Sequence, residues 1–300
     1  MREAHLRDFV AVIGCGSVRL AARSLGISEA AVSKNLTALE RSVGVPLLIR
    51  SSHGVEATEH GKLVLRRARV IDAELRKLDE ELAMLSGAEI GTNVSIGVSS
   101  TAEAIIMPRA VRRFRESAPH TTVTIISGPP SATVSALREA RVDFVIAPAS
   151  EGVVGPDIHA ERLLSTDMVV VARRGHPLEH SSDIDALARC EWVLGARRSE
   201  TERALTHALR AHGRPEIRFP IQRDSFNALL HLLLQSDLLA VASLPTVAVF
   251  RDAGILSIVP APFTLEPMVQ HLITASGRPL SLAARMLADE CRRTSRACRR

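Results

Sequence analysis

Between Ser17 and Gly44 the chain carries two short amphipathic segments separated by a glycine, and no other stretch limits its possible folds as much. Ala21 and Ala22 are small enough to let a second helix approach closely. Gly26 then supplies a turn that a residue bearing a Cβ resists. Ser28 is placed to cap the second segment, its hydroxyl accepting from a free amide of the first turn, and Glu29 beside it suits the positive end of the helix dipole. Val32, Leu36 and Leu39 recur four and three apart, a stripe that must face a core. The opposite face carries Glu29, Ala30, Ser33, Lys34 and Thr37. An ordinary solvated hairpin of helices has the same amphipathy, so the flanking sequence has to decide. Together with Ser28 these outward residues are short or cationic side chains that fit base edges and phosphates in a major groove. The outline is that of a helix-turn-helix.

Upstream, Leu6, Phe9, Val10 and Ile13 have helical spacing and predict a helix over 5–13 that supports the pair from behind. Downstream, Gly44 stops the second helix, 47–50 reads as a strand, 51–54 as a turn and 55–57 as a returning strand, which together make a wing. Arg50, Ser52 and His53 on this wing suit phosphate or minor-groove contact, and equally a plain polar loop. Thr58 can cap a long helix running to about Ser86, along which Val64, Ala68, Ile71, Leu75, Leu78, Leu82 and Leu85 recur at alternating spacings of four and three. That spacing is a heptad seam. A helix of about 28 residues spans on the order of 42 Å, too long for a domain of about 60 residues to cover. The seam therefore predicts a partner helix from a second copy.

From Gly91 the texture changes. Strands are expected over 94–98, 122–126 and 143–147 with helices over 102–116 and 132–140 between them, a βαβαβ order that predicts a largely parallel sheet. Two strands within 158–173 lead into helices over 183–189, 200–212, 225–234 and 245–252, alternating with strands over 192–194, 217–221, 239–242 and 255–259. A strand over 267–274 and a helix over 281–293 close the order. In open α/β sheets ligands sit beyond the carboxyl ends of strands, beside helix N-termini. Those positions here are Ser99, Ser100 and Thr101, then Ser127 and Gly128, then Ala147 and Pro148, and farther on Gly195, Thr201 and Phe226. Hydroxyls and free amides of this kind suit a carboxylate or another small organic anion, although serine and threonine there also serve as simple caps.

Leu6 and Phe9, the pair Ala21-Ala22, the run Ser28-Glu29-Ala30-Ala31-Val32-Ser33, and Leu39-Glu40 followed by Gly44 and Leu47-Leu48 together resemble the DNA-binding domain of LysR-type transcriptional regulators. Glu29-Ala30 stands where that family usually carries Gln-Pro, and Lys34 where it carries Arg. Both departures fall on the outward face and bear on base preference while leaving the fold intact. Residues 91–300 resemble the family's effector domain, most clearly from Asp237 to Pro245 and from Asp143 to Ile146. The resemblance implies a mixed α/β architecture with a winged helix-turn-helix over 1–58 and a linker and dimerisation helix over 59–87. A two-lobed, periplasmic-binding-protein-like effector domain would follow over 91–300, with lobe I at 91–162 and 265–300 and lobe II at 163–264. It implies a transcription regulator and not an enzyme. Its partners would be double-stranded promoter DNA, a small effector such as a carboxylate held between the lobes, and further copies of itself in dimers or tetramers.

The charge distribution agrees with that expectation. Residues 1–70 hold 11 Lys and Arg against 6 Asp and Glu, and residues 292–300 add five arginines, whereas the residues between hold 22 basic and 27 acidic groups. A basic N-terminal module suits phosphate contacts. The C-terminal arginines read as a frayed, solvated tail. Cys15, Cys190, Cys291 and Cys298 form neither a Cys-x-x-Cys motif nor a zinc spacing, so they read as reduced thiols of a cytoplasmic protein. Redox sensing by a pair of them is an alternative, and a winged-helix regulator that senses an inorganic oxyanion is another. No apolar run of 18 or more residues and no export signal is seen, so no membrane span is expected. The chain around Gly97-Val98-Ser99 lacks the second glycine of a nucleophile elbow, and no glycine-rich phosphate loop or His-Glu-x-x-His motif occurs. No catalytic, metal or cofactor site is expected. The pairs His176/His180 and His207/His212 lie in polar or loop-like segments and do not read as metal ligands.

Overall fold

A computed structural model of the protein describes residues 2–51, 54–85, 93–149, 155–194, 200–213, 218–222 and 225–298. The chain divides into two units, Met1–Ile90 with Arg138–Arg141 and Gly91–Leu137 with Val142–Arg300.

The first unit begins with α1 (Glu3–Cys15), α2 (Val18–Leu25) and α3 (Glu29–Val43). Their apolar stripes meet in one core of Phe9, Val12, Ala21, Ala22, Val32, Leu36 and Leu39, closed below by Leu47 and Leu65. Gly26 and Gly44 end α2 and α3 in the left-handed region, at φ 69° and 78°, where a side chain is disfavoured. The Ser28 hydroxyl accepts from the Ala31 amide at 3.1 Å, as its position before Glu29 predicts. The wing is an antiparallel hairpin of β1 (Leu48–Ser51) and β2 (Gly54–Ala57) with Leu48 opposite Ala57. Thr58 caps α4 (Glu59–Leu85), its hydroxyl accepting from the Gly61 amide at 2.9 Å. A Cβ at Gly61 would stand 2.1 Å from the Leu47 carbonyl oxygen, so only glycine lets the first turn of α4 lie against the wing.

The second unit holds two five-stranded sheets. The first sheet contains β3 (Asn93–Val98), β4 (Thr122–Ser127), β5 (Phe144–Ala147), β6 (Ile158–Thr166) and β12 (Met268–Ala275), in the order β4-β3-β5-β12-β6. Around it lie α5 (Ser100–Ile105), α6 (Met107–Ser117), α7 (Pro130–Arg138) and α12 (Leu282–Ala297). The second sheet contains β7 (Met168–Arg173), β8 (Glu191–Leu194), β9 (Arg218–Gln222), β10 (Leu239–Ser243) and β11 (Leu256–Val259), ordered β11-β7-β10-β8-β9. Its helices are α8 (Ile184–Arg189), α9 (Glu200–Ala211), α10 (Phe226–Leu234) and α11 (Leu244–Asp252).

Four expectations change. Each sheet is mixed: β3, β4 and β5 are parallel and so are β8, β9 and β10, but β12, β6, β7 and β11 pair antiparallel because the chain returns into each sheet from the other. The helix expected over 102–116 is broken at Ile106 into α5 and α6, where Pro108 near the start of α6 removes an amide and crowds the preceding turn. The boundary expected between residues 162 and 163 falls inside β6, which pairs with β12 from Ile158 to Thr166, while β7 begins at Met168 in the other sheet. Of the five C-terminal arginines, Arg292, Arg293 and Arg296 lie on a packed helix and not in a frayed tail, while Arg299 and Arg300 are outside the described residues. The α12 helix runs to Ala297, burying Leu287, Cys291, Thr294 and Ser295, while Arg292 hydrogen-bonds Glu161 at 2.9 Å and Asp289 at 2.7 Å. Burial opposes the charge on Arg292, but those two carboxylates outweigh it and raise its pKa. Among the described residues no helix is long and apolar enough to cross a membrane.

Candidate functional site

The recognition segment is divided as its spacing requires. Val32, Leu36 and Leu39 are buried, Glu29, Ala30, Lys34 and Thr37 are exposed, and Ser33 is half-buried between them. Glu29 lies 3.9 Å from the Arg19 guanidinium, a solvated pair worth little by itself. The Thr37 hydroxyl donates to the Ser33 carbonyl at 3.0 Å, which leaves its oxygen free to accept. Arg50 is exposed on β1; Ser52 and His53 lie outside the described residues. Arg23, Lys34 and Arg41 add exposed cations on α2 and α3.

Two polar contacts that the apolar periodicity does not reveal fix this helix in place. Asn35 donates to the Asp8 carboxylate at 2.7 Å, and Asp8 is fully buried on α1. Glu40 accepts from the Leu47 and Leu48 amides at 2.8 and 3.2 Å, tying the end of α3 to the start of the wing. A buried carboxylate stabilises a structure only when it is hydrogen-bonded, so Asp8 needs Asn35 at its position.

The expected seam on α4 separates into two parts. Ala68 is 1% exposed within the core and the half-buried Val64 packs against it, so both contribute to the core of their own unit. Beyond them Ile71, Leu78 and Leu82 are 42%, 50% and 54% exposed, with Leu75 half-buried; the side chain of Leu85 is outside the described set.

In the second unit Ser99, Ser127-Gly128 and Ala147-Pro148 end three neighbouring parallel strands. Ser127 is exposed, while Ser100 and Gly128 are half-buried. Ser99 is buried: its hydroxyl accepts from the Ala102 amide at 3.2 Å and donates to Gln270 Oε1 at 2.8 Å. Gln270 is fully buried, and its Nε2 has no partner among the described residues. Thr101 and Ala147, expected at the same strand ends, are buried. Ala147 is fully buried in β5, and the Thr101 hydroxyl is engaged with Ser243 at 2.9 Å, which in turn meets Thr246 at 2.6 Å. Pro148 is buried as well. Phe226 sits against Phe250 with ring centroids 5.6 Å apart, so it packs against the core of the second sheet. Gly195 lies outside the described residues, and Thr201 lines a groove of roughly 990 Å³ along α9. Gln270 and Thr246 went unmarked in the sequence, and Ser243 figured only within the stretch from Asp237 to Pro245; the signal for Gln270 was a glutamine inside the apolar strand Met268–Ala275.

None of the four cysteines is in a disulfide. Burial pushes the Cys291 thiol up to about 12, and burial followed by the charge of Asp237 raises that of Cys190. Neither thiol is poised for thiolate chemistry.

Comparison with known proteins adds the wider context. Residues 4–62 match the family model for the bacterial regulatory helix-turn-helix protein of the lysR family, and residues 88–296 match the LysR substrate binding domain. The chain is 28% identical over 301 residues to the HTH-type transcriptional regulator TdcA of Escherichia coli, covering 100% of this chain and 96% of that protein. It is 31% identical over 309 residues to the SDS degradation transcriptional activation protein of a Pseudomonas species, covering 99% and 98%. Its fold is similar to that of full-length CbnR, solved in complex with its target DNA, with a TM-score of 0.69 at 20% identity over 98% of this chain and 100% of that one.

Proposed function

Because the chain belongs to the LysR-type family of transcriptional regulators, with a DNA-binding domain and an effector-binding domain, we propose that it reads promoter DNA through α3 as a homodimer and responds to a small organic anion held at the ends of β3, β4 and β5. The observation that carries the DNA reading is the division of α3, whose buried stripe leaves Glu29, Ala30, Lys34 and Thr37 outward on one face. A dimer would present two such helices to two half-sites, and two dimers would make a tetramer. For the effector, the exposed Ser127 hydroxyl, the half-buried Ser100 and the unpartnered Gln270 amide beside Ser99 support a ligand rich in acceptor oxygens. Such a ligand acts by population shift, favouring the arrangement of the domain that holds it best.

The test is fluorescence anisotropy with the DNA upstream of the protein's own gene, over a salt series. Lys34→Ala is expected to weaken specific binding by about 1–3 kcal/mol if the lysine reaches a base edge. If it meets a phosphate, it should lower the salt slope by about one while leaving sequence preference unchanged. Wild-type protein that binds specific and random DNA equally well would sink the reading.

A further inference from the structure

We propose that the groove between α9 and the crossover from β11 to β12 is a second ligand site, apart from the strand ends, that takes an amphipathic monoanion with an extended apolar chain, such as a medium-chain alkyl carboxylate. The inference rests on reading this domain as effector-binding and extends it to a different chemistry.

Size comes first. The groove encloses roughly 990 Å³, the upper end of what pockets offer to drug-sized ligands. A small acid of the kind suited to the strand ends would leave most of it filled with water.

The floor is apolar. Met168, Val241, Leu265 and Met268 line it, drawn from β7, β10, the crossover and the start of β12. Methionine side chains are flexible and polarisable, so a floor holding two of them adapts to a chain of methylenes better than to one rigid ring. Ala204 and Ala208 on α9 keep the facing wall low, which makes room for that chain.

The rim is cationic at one end. Arg203 and His207 lie one helical turn apart on α9, both exposed and both on the groove, and Thr201 in the first turn of the helix lines it too. Arg203 makes no ion pair among the described residues. His212 closes the far end, its Nδ1 2.9 Å from the Ala208 carbonyl and its ring tilted against Phe263 at 6.2 Å. Glu266 is the one acidic side chain in the lining, which disfavours dianions and favours a single negative charge. A metal is a poorer occupant, because among the described residues no three His, Cys, Asp or Glu side chains converge.

The experiment is calorimetric titration of the full chain with sodium dodecanoate, kept below its micellar concentration. Wild type is expected to bind one equivalent per chain. Arg203→Gln should weaken it about tenfold, the loss of one charge-assisted hydrogen bond, and dodecanol should bind wild type about tenfold less tightly for the same reason. Ala204→Trp, which fills the groove, should abolish binding, and Ser100→Ala at the strand ends should leave it unchanged. Circular dichroism and operator binding check that each variant is folded. No binding to wild type, or binding indifferent to both Arg203→Gln and Ala204→Trp, overturns the proposal. Loss of dodecanoate binding in Ser100→Ala overturns it too, by assigning the ligand to the strand ends. In each of those cases specific DNA binding by wild type leaves the regulator reading standing.

Discussion

Among single residues, Cys291 gives the sharpest measurable consequence. With its thiol pushed up to about 12 by burial, about one molecule in ten thousand is thiolate at pH 8. In the native protein, iodoacetamide is expected to modify the exposed Cys15 and Cys298 within minutes to hours, and to leave Cys291 intact until the chain unfolds. Peptide mapping after timed alkylation reads this directly, and fast native labelling of Cys291 would refute it. The raised value also carries a sign for stability. The unfolded thiol ionises from an ordinary 9.0 and the folded one near 12, so the contribution of Cys291 is fully present below pH 9.0 and is lost as pH rises toward the folded value. A redox role through Cys190 or Cys291 has the opposite requirement, a lowered thiol pKa in an electropositive setting. Asp8 and Asn35 make a related point about buried polar groups: neither lies on the apolar periodicity, yet together they hold the recognition helix to α1.

At the level of elements, α4 changes its partner along its length. Its first turns pack into the winged-helix core through Leu65 and Ala68, after which Ile71, Leu78 and Leu82 stand exposed on one stripe. If a second copy covers that stripe, Leu78→Ala removes one leucine from each chain, about 4 kcal/mol in all, and weakens association by roughly a thousandfold. Leu63→Ala is the control, since Leu63 is 52% exposed but lies off the stripe. Sedimentation at micromolar concentration distinguishes them; equal behaviour of the two variants would rule the stripe out as the dimer contact. The elements also explain what the sequence disclosed and what it withheld. Ser28, Gly26, Gly44 and Thr58 act on their immediate neighbours, so the ends of α2, α3 and α4 were legible from the chain alone. Pro108 was legible too, but an apolar stripe running on both sides of Ile106 masked the break. The switch between sheets was not legible. Only Asp167 separates β6 from β7, and which sheet each strand joins depends on β12 and β10, about 70 to 100 residues away, a pairing that no local signal encodes. The strand-end site was half legible for the same reason: the ends of β3, β4 and β5 follow from local patterns, whereas Gln270 and Ser243 arrive from distant strands.

Across the whole molecule, the cores are separate. Phe9, Val32, Leu36 and Leu39 belong to one cluster in the first unit, and the sheets of the second unit enclose others built around Phe144, Trp192 and Val145. Units with their own cores unfold as their own cooperative transitions unless strong coupling joins them. Calorimetry of the full chain is therefore expected to resolve two transitions, and only the transition of the second unit should respond to an effector. At a concentration one hundred times its Kd, a ligand that binds only the folded state contributes about 2.7 kcal/mol. For a domain of about 200 residues that corresponds to a rise in Tm of roughly 5–10 °C. Operator DNA should do the reverse, raising the transition of the first unit and leaving the second where it was. A single transition that shifts with both ligands would mean that the two units form one cooperative block, and the population shift would then have to pass through the whole chain instead of through the pairing of its copies. Two transitions, each answering to its own ligand, would locate the coupling between effector and DNA in the assembled oligomer, for which exposed Ile71, Leu78 and Leu82 are the proposed contact.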